Sequence, residues 1–150
     1  MRRADRAIPD SEAREILLRG EYGVLSTASA DGRPYGVPLS YAFIESAVYF
    51  HGALEGRKLD NLAANGRVSF CVVGRTEVLP EKFSTRYESV IVSGTCAEAT
   101  AGQKHEGLVA LLEKYSPGFI EAGLRYIERS GGETRVFRLS IESISGKARR

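Results

Sequence analysis

The sequence predicts a single α+β domain, mainly β, in which about six antiparallel strands form a sheet or small barrel with helices at its periphery. Most apolar runs are short and bounded by turn residues, as in strands, and only a few segments show a helical period. A barrel is favoured because closure removes exposed sheet edges. The 150 residues contain no repeat, low-complexity tract or long linker, so we expect residues 1–150 to fold as one domain.

The first half of the chain begins with a short helix, which Asp10 can cap and Gly20 ends. Three strand candidates follow, at residues 22–27, 35–44 and 47–51. An Asp-Gly pair at residues 31–32 is a strong turn signal between the first two strands. Residues 45–46 form a tight connection between the second and third, which predicts that these two strands pair antiparallel.

The second half of the chain adds three helices and three strands. The helices cover residues 58–64, 108–115 and 119–127, and the strands cover 68–73, 87–98 and 136–144. The first helix ends at Asn65, the second before Pro117 and the third at the glycines 131–132. The segment 76–86 has no clear period and carries Pro80, so we expect a loop there.

Charge and hydropathy argue against several classes of protein. The formal net charge is +2, which is too small to indicate a nucleic-acid partner. No apolar run reaches the roughly 20 residues that span a bilayer, and the N-terminus lacks the apolar core of a secretory signal. We therefore expect a cytoplasmic protein with neither a nucleic-acid nor a membrane partner.

Residues with metal-ligating or nucleophilic chemistry are scattered along the chain. Two cysteines and two histidines show no metal-ligand spacing, so no metal site is predicted. Cys71 and Cys96 each lie in an apolar, strand-like run, which favours buried reduced thiols over a structural disulfide. No G-x-S-x-G motif and no paired carboxylates occur, so hydrolase chemistry is not indicated.

Residues 48–62 combine a strand, a glycine-bracketed turn and a helix that opens on two cations. Gly52 and Gly56 allow a tight turn and a close approach of the backbone to a ligand. Arg57 and Lys58 lie in the first helical turn, where cations oppose the helix dipole. A bound phosphate would reverse that penalty. On spacing alone, a solvated basic pair at a helix end is the more common explanation.

Two further residues allow more than one interpretation. Pro38 lies inside a strand candidate and cannot donate a ladder hydrogen bond, which indicates an edge strand or an interrupted pairing. Such a strand could offer free backbone groups to a polar ring, but a plain edge strand explains the proline equally well. His51 ends a strand of large apolar residues, where a structural histidine is more common than a catalytic one.

Taken in order, these segments resemble the FMN-binding split-barrel superfamily related to pyridoxamine 5′-phosphate oxidase, and most of all its nitroimidazole-resistance-like branch. The resemblance is carried by residues 22–27, 34–41, 48–62, 65–73 and 83–94. These stretches cover most of residues 22–94 in the family's order, with the histidine and the Gly-Arg-Lys element in register. After Gly94 only the pattern of helices and a closing strand matches.

The resemblance implies a six-stranded antiparallel split β-barrel of Greek-key topology, which forms a homodimer with FMN at the subunit interface. It implies that Arg57 and Lys58 bind the phosphate. The other implied cofactor contacts are Ser26 and Thr27 near the phosphate or ribityl chain, Val37, Pro38, Leu39 and Ser40 along the ring, His51, Gly52 and Ala53 at a strand end beside the cofactor, and Tyr87, Glu88 and Ser89 from the partner chain.

The resemblance also bears on catalysis. In the nitroimidazole-resistance-like branch a histidine in the Phe-His-Gly context lies close to the flavin and is linked to reductive chemistry, which implies His51 as the catalytic residue. The residues that hold pyridoxine phosphate in the true oxidases have no counterpart in this sequence. Vitamin B6 oxidation is therefore not expected.

Three hypotheses follow for the function. The first is an FMN-dependent oxidoreductase that reduces a small aromatic or nitro-aromatic substrate. The second is a non-catalytic flavin-binding carrier or redox sensor. The third is a split-barrel module that binds haem, a deazaflavin or a nucleic acid in place of FMN. A flavin needs a dianion site, a hydrogen-bonding backbone edge and an apolar wall, and it supplies the redox chemistry itself, so the residues and the resemblance agree on flavin binding. The first hypothesis is the favoured one, and the second differs from it in having no substrate pocket over the ring.

Overall fold

The computed structural model describes residues 2–150, which form an eight-stranded sheet and four α-helices. The strands are β1 (Ala7–Ile8), β2 (Gly23–Ala28), β3 (Pro34–Leu39), β4 (Ala42–Ile44), β5 (Ala47–Gly52), β6 (Arg67–Leu79), β7 (Ser84–Glu98) and β8 (Arg135–Arg149). The helices are α1 (Asp10–Arg19), α2 (Arg57–Ala64), α3 (Ala101–Tyr115) and α4 (Ile120–Ser130). Short 3₁₀ helices cover Ala4–Arg6, Pro80–Lys82, Pro117–Phe119 and Gly131–Glu133.

The strands are hydrogen-bonded in the order β3-β2-β6-β7-β8-β5-β4, and β1 pairs with the far end of β8. Every pair is antiparallel. The two ends of this path, β3 and β4, follow one another in the chain but do not pair. The sheet is therefore a barrel that is split between β3 and β4, and the predicted α+β class and split-barrel fold are confirmed.

Two of the strand predictions need correction. The number of strands is eight rather than six within residues 2–150, since β1 was not foreseen and the candidate strand at 35–44 is interrupted at Ser40 and Tyr41. The expected loop at 76–86 is wrong, because β6 and β7 continue through it as a long hairpin in which Glu77 pairs with Arg86. Most of this arm is exposed, so it shows no alternation of apolar and polar residues from which a strand could be recognised.

The core lies between the sheet and α1 and fixes the strands that carry the site. Tyr41, at the break between β3 and β4, is fully buried, and its hydroxyl donates a hydrogen bond to the carbonyl oxygen of Leu17 on α1. Phe50 on β5 stacks on Phe137 of β8, with ring centroids 5.5 Å apart and planes inclined by 15°. This stacking holds the end of β5, and with it His51, in a defined position.

Helices α3 and α4 cover the side of the barrel next to β5. A capping box formed by Thr100 and Gln103 starts α3, and Leu111 is its buried apolar contact. No residue of α4 itself is buried. The predicted helix ends at Pro117 and at the glycines 131–132 agree with the observed ends of α3 and α4.

The two cysteines do not form a disulfide with each other. Cys71 lies opposite Ile91 across β6 and β7, and Cys96 lies five residues further along β7, roughly 17 Å away. A disulfide requires Cα atoms within about 7 Å of each other. Both cysteines are free thiols; Cys96 is buried as predicted, whereas Cys71 is only half-buried. Among residues 2–150, no helix combines the length and the apolar run that crossing a bilayer requires.

Candidate functional site

The predicted cation pair lies where β5 ends and α2 begins. The turn between them ends at Gly56, which has a φ of 139°. Residues other than glycine rarely adopt such a positive φ. The first hydrogen bonds of α2 run from the amides of Leu59 and Asp60 to the carbonyl oxygen of Gly56. The helix itself thus leaves the amides of Arg57 and Lys58 without an acceptor, as expected at a helix start.

Lys58 is half-buried against the end of β5. Its Nζ atom lies 5.5 Å from the centroid of the Phe50 ring, and a Cβ atom added to Gly52 would lie only 2.9 Å from it. Burial lowers the pKa of the Lys58 ammonium, and within residues 2–150 it forms no ion pair. The buried Cys96 thiol nearby does not supply a negative charge, because burial raises its pKa to about 12. Lys58 is thus a half-buried cation that has no ion-pair partner among residues 2–150.

Arg57 lines a separate cavity of about 280 Å³, which we call the Arg57 cavity. Its guanidinium carbon lies 5.2 Å from the centroid of the Tyr35 ring on β3, and within the described residues Arg57 forms no ion pair. The other lining residues are Ser29, Asp31, Arg33, Pro34, Tyr35 and Asn61. The Asp31 carboxylate accepts a hydrogen bond from Ser29 and pairs with Arg33, so Arg57 keeps its own charge free.

Asn61 joins α2 to β2 beneath this cavity. It is only 5% exposed, and its Nδ2 atom donates a 3.0 Å hydrogen bond to Oγ1 of Thr27, which is 4% exposed. The Thr27 hydroxyl in turn lies 3.4 Å from the carbonyl oxygen of Tyr35. A buried polar pair of this kind fixes the two elements in register. Sequence reasoning missed Asn61, although a polar residue on the apolar face between Leu59 and Leu62 was a usable signal.

His51 lines a larger cavity of about 530 Å³, which we call the His51 cavity. Ser40 at the break after β3 also reaches it, and α3 and α4 form its opposite wall. The lining residues on and between these helices are Leu108, Leu111, Leu112, Tyr115, Ser116, Phe119, Gly123, Tyr126 and Ile127, and Thr134 completes the set. None of these helix residues was predicted as part of the site.

The protonation state of His51 follows from its neighbours. Desolvation lowers the pKa of His51 below its ordinary value of 6.5, and the positive charge of Lys58 lowers it further. The imidazole is therefore mainly neutral at neutral pH. In this form it can donate one hydrogen bond and accept another.

The remaining predicted contacts on β2 and β3 are divided between the two faces of the sheet. Because successive side chains of a strand point to opposite faces, Ser26 lies on the face away from Asn61. Val37 and Leu39 pack against the core, whereas Pro38 is exposed on the edge strand β3. Ala53 is exposed just after β5. Of the residues predicted to lie along a ring, only Ser40 lines the cavity that contains His51.

Tyr87, Glu88 and Ser89 lie elsewhere in the same chain. Ser26 on β2 pairs with Ser69 on β6, which in turn pairs with Ser93 on β7. Tyr87 lies six residues before Ser93, which is roughly 20 Å along β7. Glu88 pairs with Arg19 and accepts a hydrogen bond from the amide of Arg75. A single chain does not bring these residues to Arg57 and Lys58, and their assignment to the partner chain stays a prediction.

Comparison with known proteins bears on this geometry. A model of the family described as pyridoxamine 5′-phosphate oxidase matches residues 9–148, and no curated protein matches the sequence. A proposed 5-nitroimidazole antibiotic resistance protein from Bacteroides thetaiotaomicron has a similar structure, with a TM-score of 0.76, 19% identity and coverage of 95% of this chain and 86% of that chain.

Two further solved structures are similar to this chain. An FAD-binding protein from Mesorhizobium loti has a TM-score of 0.68 and 24% identity, over 97% of this chain and 98% of that chain. An FAD and haem binding protein from Mycobacterium smegmatis has a TM-score of 0.76 and 20% identity, over 93% of this chain and 71% of that chain. At such identities the likeness shows the fold alone.

Proposed function

Because the chain belongs to the pyridoxamine 5′-phosphate oxidase family, we propose that it is a flavin-dependent oxidoreductase that binds FMN and reduces a small aromatic or nitro-aromatic molecule. The observation that carries the proposal is the placement of two cations without counter-charge, Arg57 and Lys58, beside the strand end that bears His51. A bound flavin would supply the redox chemistry, taking up two electrons from a donor and passing them to an acceptor.

The α2 start fits the phosphate group of such a cofactor. Lys58 is half-buried and has no carboxylate partner within residues 2–150. Partial burial lowers its pKa, and a bound anion would stabilise its charged form. Arg57 offers a planar fork, and the free amides of the first turn add two donors. The close approach of Gly52 to Lys58 leaves the ammonium group room that a larger residue would take.

The strand ends next to α2 fit the rest of the cofactor and the substrate. Thr27 and Asn61 hold β2 against α2, which keeps the cations in place. His51 can exchange hydrogen bonds with a polar atom in its cavity, and α3 and α4 supply apolar and aromatic walls on the opposite side. In this proposal the residues of the chain bind and orient the cofactor, and the cofactor supplies the redox chemistry.

The proposed assembly is a homodimer with the cofactor at the subunit interface. Two features support it: Tyr87, Glu88 and Ser89 lie far from Arg57 within one chain, and Val73 and Ile91 expose 58% and 50% of their surface on the outer face of β6 and β7. Analytical ultracentrifugation of the flavin-loaded protein should give the mass of two chains, and Ile91→Lys should shift it towards one. A monomer that retains stoichiometric FMN would contradict the assembly.

The first experiment is a spectrum of the purified protein and mass analysis of the released cofactor. A flavin absorption band and the mass of FMN are expected. A colourless protein that takes up no added FMN would overturn the proposal. Single-turnover reduction by NADH or NADPH, followed by reoxidation with nitro-aromatic acceptors, distinguishes an enzyme from a flavin-binding carrier or sensor.

The double variant Arg57→Ala/Lys58→Ala tests the phosphate site. Because each cation contributes a charge-assisted hydrogen bond, FMN affinity should fall roughly 100-fold. Isothermal titration with FMN and with riboflavin measures this, since only FMN carries the phosphate. The matched control is Arg129→Ala/Lys82→Ala, which removes two exposed cations that form no ion pair in the described chain. Equal affinities for the test and control variants would place the phosphate elsewhere.

A second cofactor is suggested by the fold relatives. One of them is named as an FAD and haem binding protein, and His51 offers a neutral imidazole in a largely apolar cavity. The same spectrum separates the cases, because haem gives a Soret band and the released cofactor has a different mass. FAD in place of FMN would retain the flavin band and change only the released mass.

A further inference from the structure

The His51 cavity is lined by uncharged side chains among the residues that the structure describes. On α3 and α4 it is walled by aliphatic side chains, such as Leu108 and Ile127, and by the aromatic rings of Tyr115, Phe119 and Tyr126. Its volume of about 530 Å³ lies within the range of small-molecule sites, roughly 300–1,000 Å³. The cavity therefore has the size and the walls of a site for a small planar molecule.

The polar groups of the cavity are few and uncharged. They are Ser40, His51, Ser116 and Thr134, together with the hydroxyl groups of Tyr115 and Tyr126. Lys114 does not line the cavity: its Nζ atom donates a 3.0 Å hydrogen bond to the carbonyl oxygen of Tyr41 and lies 3.7 Å from the Tyr41 ring centroid. Lys58 is not a lining residue either, and its Nζ atom lies near the Phe50 ring beside Gly52. A carboxylate or phosphate inside the cavity would thus meet no charged lining side chain with which to form an ion pair.

Helix α4 gives an independent indication of a ligand. It buries no residue against the core, yet its apolar side chains lie on the face towards α3, where Gly123 lies directly against Leu112. Phe119 and Tyr126 remain 71% and 63% exposed at the cavity. Such large exposed aromatic side chains are typical of a binding surface rather than of a core.

We propose that the His51 cavity selects uncharged planar aromatic molecules and rejects their anionic analogues. The inference rests on the proposed function in taking this cavity as the substrate side of the flavin site. It adds to that function a statement about charge. The anionic phosphate of the cofactor binds at Arg57 and Lys58, and the substrate in the His51 cavity is uncharged.

Isothermal titration with a matched pair of probes tests the inference. Methyl 4-nitrobenzoate and 4-nitrobenzoate have the same ring and nitro group and differ in the charge of one substituent. The ester should bind the purified protein at least about tenfold more tightly than the carboxylate. Each titration is carried out with and without added FMN, so that probe binding is measured apart from flavin binding and turnover.

A charge introduced at the cavity should reverse the preference. Tyr126→Arg places a cation at an exposed lining position and should raise the affinity for 4-nitrobenzoate about tenfold relative to the ester. The control is Ala122→Arg, an exposed position on the same helix that does not line the cavity. It should leave the preference unchanged.

Three results would overturn the inference: equal affinities for ester and carboxylate, no measurable binding of either probe, or the same shift in both arginine variants. Retention of FMN is read separately from the absorption spectrum. A protein that holds FMN but fails the probe test keeps its proposed function and loses this inference. A protein that passes the probe test but takes up no FMN keeps the selective cavity and loses the flavin.

Discussion

His51 lies between a desolvated cation, Lys58, and a cavity with uncharged walls. At this position its imidazole is neutral at neutral pH, so it can donate a hydrogen bond at one ring nitrogen and accept one at the other. We propose His51 as the catalytic residue because it lines this cavity.

The variant His51→Ala should lower turnover while leaving FMN affinity nearly unchanged. Loss of a proton-transferring group typically costs about 100-fold or more in rate, whereas Arg57 and Lys58 retain the phosphate. Steady-state rates and FMN titration of the same preparation measure the two effects. His105→Ala, on the exposed side of α3, is the control and should change neither. A larger loss of affinity than of rate would make His51 a cofactor ligand.

The pH profile gives a second measure of His51. Since desolvation and Lys58 lower its pKa below 6.5, the neutral form should persist to lower pH than for a free histidine. If the neutral form is active, kcat/KM should stay level through neutral pH and fall only as the pH drops through this lowered pKa. The fall should be absent from the residual activity of His51→Ala.

At the scale of elements, the site is a junction between β5 and α2. Gly52 ends the strand, Gly56 turns the chain with a positive φ, and the helix begins with its two cations. Asn61 then ties the helix to Thr27 on β2. Each part is local in sequence except this last contact, which sets where α2 lies relative to the barrel.

The variant Gly52→Ala tests this junction. The added Cβ atom would lie 2.9 Å from Nζ of Lys58, so the flexible tip of that lysine must move, and FMN affinity should fall about tenfold with little loss of stability. Gly102→Ala is the control, because a Cβ there meets open space and should stabilise the helix by up to about 1 kcal/mol. FMN titration and urea unfolding measure both, and unchanged affinity in Gly52→Ala would place Lys58 outside the site.

At the scale of the whole molecule, α3 is hydrogen-bonded to the backbone at the break between β3 and β4. The backbone amide of Tyr41 donates to the Tyr115 hydroxyl at 3.0 Å, and that hydroxyl lies 2.6 Å from the carbonyl oxygen of Glu21, to which it donates. Lys114 donates to the carbonyl oxygen of Tyr41. These bonds satisfy the amide and the carbonyl oxygen of Tyr41 at the break between β3 and β4, and they hold Tyr115, which lines the His51 cavity, in place.

Lys114 should make stability depend on alkaline pH. Burial lowers its pKa from 10.5 to about 8, so between these values the unfolded chain holds a proton that the folded chain has lost. The free energy of unfolding contributed by this group should therefore rise from pH 8 to 10.5. Urea unfolding of the wild type and Lys114→Met over this range measures it. The difference between the two proteins should shift in favour of the wild type, and a constant difference would contradict the assignment.

The sequence by itself determined the local features: the α+β class, the helix ends at Gly20, Asn65 and Pro117, and the two cations at the start of α2. These features follow from the hydrophobic period and from the capping and turn residues, all of which reflect interactions between near neighbours in the chain. Only the tertiary structure decided that residues 76–86 continue the β6 and β7 hairpin, that Asn61 meets Thr27, and that α3 and α4 wall the His51 cavity. The last two arrangements depend on contacts between residues distant in the chain, which leave no periodic signal in the sequence. The hairpin arm at 76–86 is local, but it is mostly exposed and lacks the alternation of apolar and polar residues that marks a strand.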